Sequence, residues 1–292
     1  MSDTLRTPIS SLEYFALLVS EEASLPLPET ASNIAQIEYP ALILFSVADE
    51  LDQLCKRTQR KIASDTPTLQ KIWQLNQFFY KEMHFQGVSG IQEDIDLSCI
   101  NMVLKTRRGT DILLAIIYME IATALRLKAR GIAFPGHFLV KIRLNRPNGL
   151  PAEVIIDPTN GKSLNMEDIK TLLEPYKKSH GLIDEFDIPS DLFLESATPK
   201  EMVASMLSHM RALYLEQHDW HHLIQVLDRL IVLQPEHIEN YRERGYALIK
   251  HGQPQQAIID LEHYLQHARA QLMADEEQVK QQLNTLRNSN AS

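Results

Sequence analysis

One stretch of the chain, Ile112 to Ala122, is apolar at nearly every position, and its charged residue is Glu120. A helix built from such residues has no polar face, and a helix that is hydrophobic on all sides lies in the middle of a domain. We therefore predict a buried helix that begins near Asp111 and that the surrounding elements pack around.

Strand-like runs follow this helix at Lys128–Phe134, His137–Ile142 and Glu153–Ile156. Residues 145–151 between the last two runs include a proline, an asparagine and a glycine, which favour a turn. The pattern predicts a β-hairpin centred near Asn148.

The register of this hairpin follows from its centre. Opposite charges and apolar side chains then face each other, as cross-strand pairing prefers: Arg143 faces Glu153, Ile142 faces Val154 and Val140 faces Ile156. The same register predicts that His137 and Asp157 are diagonal neighbours on one face, at roughly 7 Å between backbones. A carboxylate at that range can hydrogen-bond to an imidazole and orient it.

Helical periodicity upstream predicts helices at Ser11–Glu22 and Pro40–Ile62, and a further helix opened by Thr66 and Pro67. The proline-containing segment Leu25–Glu29 predicts a connector. Downstream, Met166–Leu173 is a predicted helix. We interpret the polar segment Pro175–Pro189 as a linker and place the domain boundary there.

The chain from Pro199 onward is helical in pattern and repeats itself. With a period of about 34 residues, typical of tetratricopeptide repeats, the equivalent pairs are Tyr214 and Leu248, Leu223 and Ala257, and Leu227 and Leu261. Gln271–Arg287 is predicted to cap the array, with a polar outer face. We predict an α+β domain at residues 1–189 and an all-α domain of tetratricopeptide-like helical repeats at residues 190–292.

Composition narrows the class of protein. The chain has 292 residues, of which 44% are hydrophobic and 23% are charged, as in soluble globular proteins. Its net charge of −9 argues against nucleic acid as the main partner. Cys55 and Cys99 fit a reducing compartment, and no stretch approaches the roughly 20 apolar residues of a membrane helix. We expect a cytoplasmic protein without a membrane partner.

Four motifs occur in one order along the chain: FFYKEMHFQG, VLKTRRG, FPGHFLVKI and IIDPTNG. Together they resemble the bacterial SirB-type family. This resemblance implies a transglutaminase-like (papain-like) core with an antiparallel sheet, followed by tetratricopeptide-like helices. It also implies a regulatory role, since a link to virulence or invasion genes has been proposed in that family.

The sequence departs from active transglutaminase-like enzymes at the start of the buried helix. A Gly-x-Cys opens that helix in those enzymes and supplies the thiolate, whereas this chain has Gly109, Thr110 and Asp111 there. The resemblance maps His137 and Asp157 onto the other two positions of the catalytic triad. It therefore implies a degenerate triad of Asp111, His137 and Asp157.

Each candidate also has a purely structural interpretation. Asp111 is an acid/base, or an electrostatic clamp for a ligand amine or guanidinium, or, as we favour, a first-turn residue of a helix capped by Thr110. His137 and Asp157 are a retained dyad with His137 as general base, or turn residues. We expect them to touch, but a dyad without a nearby nucleophile has nothing to activate.

Several other residues are candidates for binding or for chemistry. Arg107 and Arg108 either pair with an acidic group, bind an anion or a partner carboxylate, or face solvent, which we favour. Thr110 is a further binding candidate and the nearest hydroxyl, but it lacks the free amine that a threonine nucleophile uses. Cys99 is expected to be buried. The histidine group around Trp220 fits a surface turn better than a metal site, so we expect no metal and no cofactor.

We therefore favour a non-enzymatic protein that binds a protein or peptide partner through its helical repeats and acts in regulation. The alternative is a hydrolase or acyl-transfer enzyme acting on peptide or amide bonds, using His137 and Asp157 with Asp111 or a water molecule. A third interpretation is a sensor whose cleft holds a small amine or peptide. The sequence specifies neither the partner nor the oligomeric state.

Overall fold

The chain folds into two compact units. A computed structural model describes residues 9–88, 94–145, 151–182, 188–267 and 273–290. One unit comprises Glu21–Met206, and the other combines Met1–Ser20 with Leu207–Ser292. This division falls at other positions than the predicted domain boundary between residues 189 and 190. That boundary stays a prediction.

The helices and strands follow one another in this order: α1 (Ser11–Leu18), α2 (Leu27–Ala35), α3 (Leu44–Lys61), α4 (Thr68–Asn76), β1 (Gln86–Gly87), α5 (Ile100–Thr106), β2 (Arg108–Gly109), α6 (Asp111–Ala124), β3 (Lys128–Phe134), β4 (His137–Asn145), β5 (Pro151–Ile156), β6 (Ser163–Leu164), α7 (Met166–Ser179), α8 (Pro199–Glu216), α9 (Trp220–Leu233), α10 (Glu239–Lys250), α11 (Pro254–His267) and α12 (Met273–Asn290). A π-helical turn, Gln77–Glu82, continues α4. A 3-10 helix at Ser190–Leu194 precedes α8.

Helix α6 is the centre of the larger unit. Its residues from Ile112 to Met119 are all buried, as are Ile121 and Ala122. It contacts α3 on one side and strands β3 and β4 on another. The predicted buried helix is confirmed, and its lack of a polar face is explained by elements packed around it.

The main sheet is antiparallel with the strand order β3-β4-β5-β6. Strand β4 pairs with β5 in the predicted register, because Arg143 lies opposite Glu153 and Val140 lies opposite Ile156. The predicted turn centre at Asn148 lies outside the described residues. Strands β3 and β4 are joined by a tight turn at Pro135 and Gly136, so that Phe134 pairs with His137.

One face of this sheet is only partly covered. Buried Ile132, Phe134 and Leu139 form a cluster there with Ile169 and Leu173 of α7. Phe193 and Leu194 of the 3-10 helix also pack against this cluster. The covered half is therefore the half next to the β3–β4 turn.

Two predictions based on proline were wrong. The predicted connector at Leu25–Glu29 overlaps the start of α2, where Pro28 is tolerated because it lies in the first turn. The predicted linker from Pro175 is helical as far as Ser179, with Pro175 inside α7. Tyr176, which packs against the cluster of Leu173, continues the apolar face beyond the proline. Tertiary packing thus outweighs the lost helix hydrogen bond. Residues 183–187 lie outside the described residues.

The second unit is helical. The residues predicted to be equivalent in the repeats are all buried: Tyr214, Leu223, Leu227, Leu248, Ala257 and Leu261. A Cβ added at Gly245 of α10 would lie 2.8 Å from a methyl carbon of Leu261, so the glycine allows α10 and α11 to approach closely. Arg244 joins three helices by hydrogen bonds to Asp228 and Asp260.

Helix α1 belongs to this helical unit. It packs on α9, where the guanidinium of Arg229 donates a hydrogen bond to the Ser11 hydroxyl at 2.9 Å and lies over the ring of Phe15 at 5.8 Å from its centroid. Ser10 and Glu13 form a capping box at the start of α1. The sequence pattern alone places this helix in the N-terminal domain, because its partner lies far along the chain.

Candidate functional site

The start of α6 is held by backbone contacts on both sides. Strand β2, Arg108–Gly109, pairs in parallel with β1. The Thr110 N–H donates to the carbonyl of Leu97 at 3.0 Å. Thr110 is the N-cap residue, as predicted, but its hydroxyl makes no capping hydrogen bond. That oxygen is buried and lacks a partner among the described residues, so the predicted side-chain cap was wrong.

The Asp111 carboxylate ties α6 to the sheet. Its Oδ2 accepts a hydrogen bond from the backbone N–H of Phe138 at 2.6 Å. Its Oδ1 accepts from the N–H of Ile112 at 2.7 Å. Strand β5 pairs with β4 only as far as Val140, so Asp111 bonds the amide of a β4 residue that lies beyond the end of that ladder. The carboxylate also lies in the first turn, where the helix dipole favours it.

His137 precedes Phe138, so the fold brings the backbone of His137 close to Asp111. Its side chain is exposed at the β3–β4 turn. Among the described residues, the ring of His137 has no hydrogen-bond or ion-pair partner. The imidazole is therefore available to solvent and is not oriented by a neighbouring carboxylate.

Asp157 uses its oxygens within its own turn. Oδ1 accepts hydrogen bonds from the Thr159 N–H at 2.8 Å and from the Thr159 hydroxyl at 2.6 Å, and Oδ2 accepts from the Asn160 amide at 2.8 Å. The hydrogen bond predicted between Asp157 and His137 is therefore absent from the described contacts. The register was right, but β5 ends at Ile156 and Asp157 bonds to closer donors in the turn.

This Asp157–Gly161 turn is fixed from outside by polar side chains that the sequence analysis did not select. Asn76 donates an amide hydrogen bond to the Gly161 carbonyl at 3.0 Å. The Tyr80 hydroxyl donates to the Pro158 carbonyl at 3.0 Å, and the Tyr118 hydroxyl donates to the Asn76 side chain at 2.7 Å. Burial raises the pKa of both tyrosines above their ordinary value, so both act as neutral donors.

Two glycines permit the close packing at this turn. The Gly87 N–H donates to the Thr159 carbonyl at 2.8 Å, and a Cβ at Gly87 would lie 2.3 Å from the Cβ of Thr159. Gly161 has φ +78, and a Cβ there would lie 2.4 Å from the Tyr80 ring. Tyr80 and Gly87 lie in FFYKEMHFQG and Thr159 and Gly161 in IIDPTNG, so the two motifs meet in space.

Arg107 and Arg108 differ in their surroundings. Arg107 adopts a left-handed conformation with φ 62 at the end of α5. Its guanidinium lies 3.3 Å from Glu50 and 4.8 Å from the centroid of the Phe85 ring, and partial burial lowers its pKa, which Glu50 opposes. For Arg107 the favoured solvent-facing interpretation was therefore wrong and pairing with an acidic group is right, whereas Arg108 is exposed.

Neither cysteine has the surroundings of a nucleophile. Both thiols are free and buried. Burial raises the pKa of Cys55 to about 11, and it raises the pKa of Cys99 as well. The thiolate is the reactive form, so these thiols are protonated at neutral pH.

The histidines near Trp220 form local contacts. His222 lies 2.7 Å from Asp219 through Nδ1, and His221 contacts Gln225. The described part of the chain contains no group of three or more candidate metal ligands. Within those same residues, no helix is long and apolar enough to cross a membrane.

Comparison with known proteins identifies the family. Residues 45–208 match the transglutaminase-like superfamily. The chain belongs to this superfamily. Residues 210–284 match a tetratricopeptide repeat family, so the transglutaminase-like region is followed by tetratricopeptide repeats, as predicted.

Similar proteins occur in several bacteria. A UPF0162 protein of Xylella fastidiosa strain 9a5c is 28% identical over 86% of this chain and 87% of its own length. Protein SirB1 of Salmonella typhimurium is 24% identical over 88% of this chain and 90% of its own length. No solved structure is a significant match. The predicted resemblance to SirB-type proteins is confirmed.

Proposed function

We propose that this chain is a non-catalytic transglutaminase-like protein that binds a protein partner through its tetratricopeptide repeats and acts in regulation. The contact between the Asp111 carboxylate and the Phe138 N–H carries this proposal. Asp111 occupies the position of the cysteine in the Gly-x-Cys motif of active transglutaminase-like enzymes. A carboxylate committed to backbone amides supports a structural role at this position, since it is not free to attack a substrate.

The state of the other two triad positions supports the same proposal. Asp157 directs its oxygens to Thr159 and Asn160, and a general base needs a partner that orients it. His137 is exposed, and a dyad without a nucleophile has nothing to activate. Both thiols are buried, so neither substitutes for the missing nucleophile.

The helical unit supports the binding role. Tetratricopeptide repeats build extended surfaces that bind proteins or peptides. Leu215 and Ile259 are 49% and 65% exposed on helices of this unit, so they offer apolar contacts without taking part in the core. Two free cysteines suit a reducing compartment, and the proposal includes action in the cytoplasm.

The proposed lack of catalytic activity is tested with the purified full chain. Wild type and His137→Ala are incubated with a fluorogenic ester, a fluorogenic peptide amide, and a glutamine-containing protein with a fluorescent amine. We expect both proteins to match the buffer blank. Turnover by wild type that disappears in His137→Ala would overturn the proposal in favour of the hydrolase or acyl-transfer alternative.

The proposed binding through the repeats is tested by identifying partners of the tagged full chain by mass spectrometry. Leu215→Glu and Ile259→Glu remove exposed apolar contacts of the repeats, and His137→Ala serves as the matched control in the other unit. We expect the recovered partner to be lost with the repeat substitutions and retained with His137→Ala. The reverse pattern would contradict binding through the repeats.

A further inference from the structure

Strands β3 and β4 assemble four cations on one face of the sheet. Lys128 lies directly opposite Arg143, and Arg130 lies directly opposite Lys141. Residues two apart on a strand share a face, so all four side chains lie on the face that carries Ile132 and Leu139. We call these four residues the basic strand patch. The four residues are separated along the chain and come together only through the register.

The basic strand patch has little acidic compensation. Lys141 donates to the Leu194 carbonyl at 2.8 Å and lies 3.7 Å from Glu153. Lys128, Arg130 and Arg143 are exposed, and none of the three makes an ion pair or a side-chain hydrogen bond with a described residue. Among the described residues, the carboxylate within ion-pair distance of these four cations is that of Glu153, in a chain whose net charge is −9.

This arrangement works against the stability of the isolated sheet. Like charges directly opposite each other on adjacent strands are destabilising, and Lys128 and Arg143 are such a pair. The covered half of the same face is closed by α7 and the 3-10 helix, which reaches Lys141 through the Leu194 carbonyl, whereas Lys128, Arg130 and Arg143 are exposed. Exposed cations on this sheet face fit a surface that meets an anionic partner.

The backbone beside the patch belongs to strand β3, which lies at the edge of the sheet. The carbonyl of Gly131 accepts a hydrogen bond from the Ala197 N–H at 2.9 Å, which closes the edge at that point and shows that the backbone groups of Gly131 point outward. Residues two apart in a strand direct their backbone groups to the same side. The groups of Ala129 therefore also point outward, between Lys128 and Arg130.

We propose that the edge of β3 and the basic strand patch bind an extended acidic segment of a partner protein, which adds as a strand beside Lys128–Arg130. Exposed edges pair readily with an extended peptide. Alternate side chains of that peptide would repeat at about 6.6 Å along the strand, the spacing between Lys128 and Arg130. A segment with acidic residues at every second position therefore matches the patch in charge and in period.

Other anionic partners fit less well. A nucleic acid presents one phosphate charge about every 1.7 Å of duplex, a spacing much shorter than the period of about 6.6 Å at which the cations repeat along the strand. A phosphate backbone also offers no N–H groups to the outward carbonyl of Ala129. A short acidic peptide supplies both carboxylates and backbone donors.

The test uses a fluorescein-labelled, end-capped ten-residue peptide of alternating Glu and Thr, titrated with the full chain at low salt. The variant Lys128→Gln, Arg130→Gln, Arg143→Gln removes the unpaired charges. The control Arg60→Gln, Lys81→Gln removes two exposed cations from α3 and from the π-helical turn. Circular dichroism verifies that each variant is folded, and the three single substitutions replace the triple variant if it is not.

We expect the triple variant to weaken peptide binding by about tenfold or more, as the loss of three ion pairs implies, and the control to stay within about twofold. The same peptide with N-methylated threonines is expected to bind at least about tenfold more weakly, because it cannot pair with the edge. Equal weakening in the control, equal binding of the N-methylated peptide, or no binding by wild type would overturn the proposal. Tighter binding of a single-stranded oligonucleotide or of phosphatidylserine vesicles would overturn it in favour of that partner.

Discussion

Replacing Asp111 by alanine tests the role of its carboxylate directly. The change removes the 2.6 Å hydrogen bond to the Phe138 N–H, and a hydrogen bond to a charged group contributes about 1.5–3 kcal/mol. It also removes a negative charge from the first turn of α6, which contributes about 0.3–1 kcal/mol. Together these effects predict a loss of about 2–4 kcal/mol in the free energy of unfolding of the transglutaminase-like unit.

The loss is measured by urea unfolding followed by circular dichroism, with hydrogen exchange of the peptide that contains Phe138 as a local readout. Asp111→Asn keeps one acceptor oxygen and should lose roughly half as much, because a neutral acceptor makes the weaker bond. Asp65→Ala, at an exposed position, is the matched control and should change stability by less than about 0.5 kcal/mol. Unchanged exchange at Phe138 in Asp111→Ala would refute the structural role of the carboxylate.

Further predictions follow from other contacts. Gly87→Ala sets a Cβ against Thr159 and should cost about 1–3 kcal/mol, as overpacking does; an unchanged melting temperature would contradict this. Lys128→Glu turns the like-charge pair with Arg143 into an attractive one and should stabilise the chain by about 0.2–1 kcal/mol in urea unfolding. A loss of stability would contradict the predicted repulsion. Burial raises the pKa of Cys55 from 9.0 to about 11. The contribution of this thiol to the free energy of unfolding is therefore complete below pH 9, where the thiol is neutral in both the folded and the unfolded state. It is lost as pH rises towards 11, by up to about 1.4 kcal/mol per pH unit. Cys55→Ala should show a shallower fall over this range, and identical slopes would refute the assignment.

The register of the sheet could be predicted because local chemistry determines it. A turn-forming segment and three matched cross-strand pairs define the alignment of β4 with β5, and a slip of one residue would move every apolar side chain to the other face. The burial of α6 was predictable for a similar reason, since its apolar residues leave no side for water. These features depend on residues close together in the sequence.

The site was predicted less completely because its hydrogen bonds join distant segments. Asp157 was expected to reach His137, but Thr159 and Asn160 are nearer donors and occupy its oxygens. The contact from Asn76 to Gly161 spans 85 positions, and no periodic pattern indicates it. The motifs that contain Tyr80 and Thr159 were visible as a resemblance, but their contact through a shared turn became apparent only in three dimensions.

The packing of α1 on α9 has a consequence for synthesis of the chain. The ribosome makes α1 roughly 200 residues before α9, an interval of about 10–40 s at ordinary elongation rates. During this interval the transglutaminase-like region is completed while Phe15, fully buried in the final fold, lacks the helix that covers it. Helix α1 is thus among the last elements to reach its folded position, and its apolar face stays uncovered during this interval.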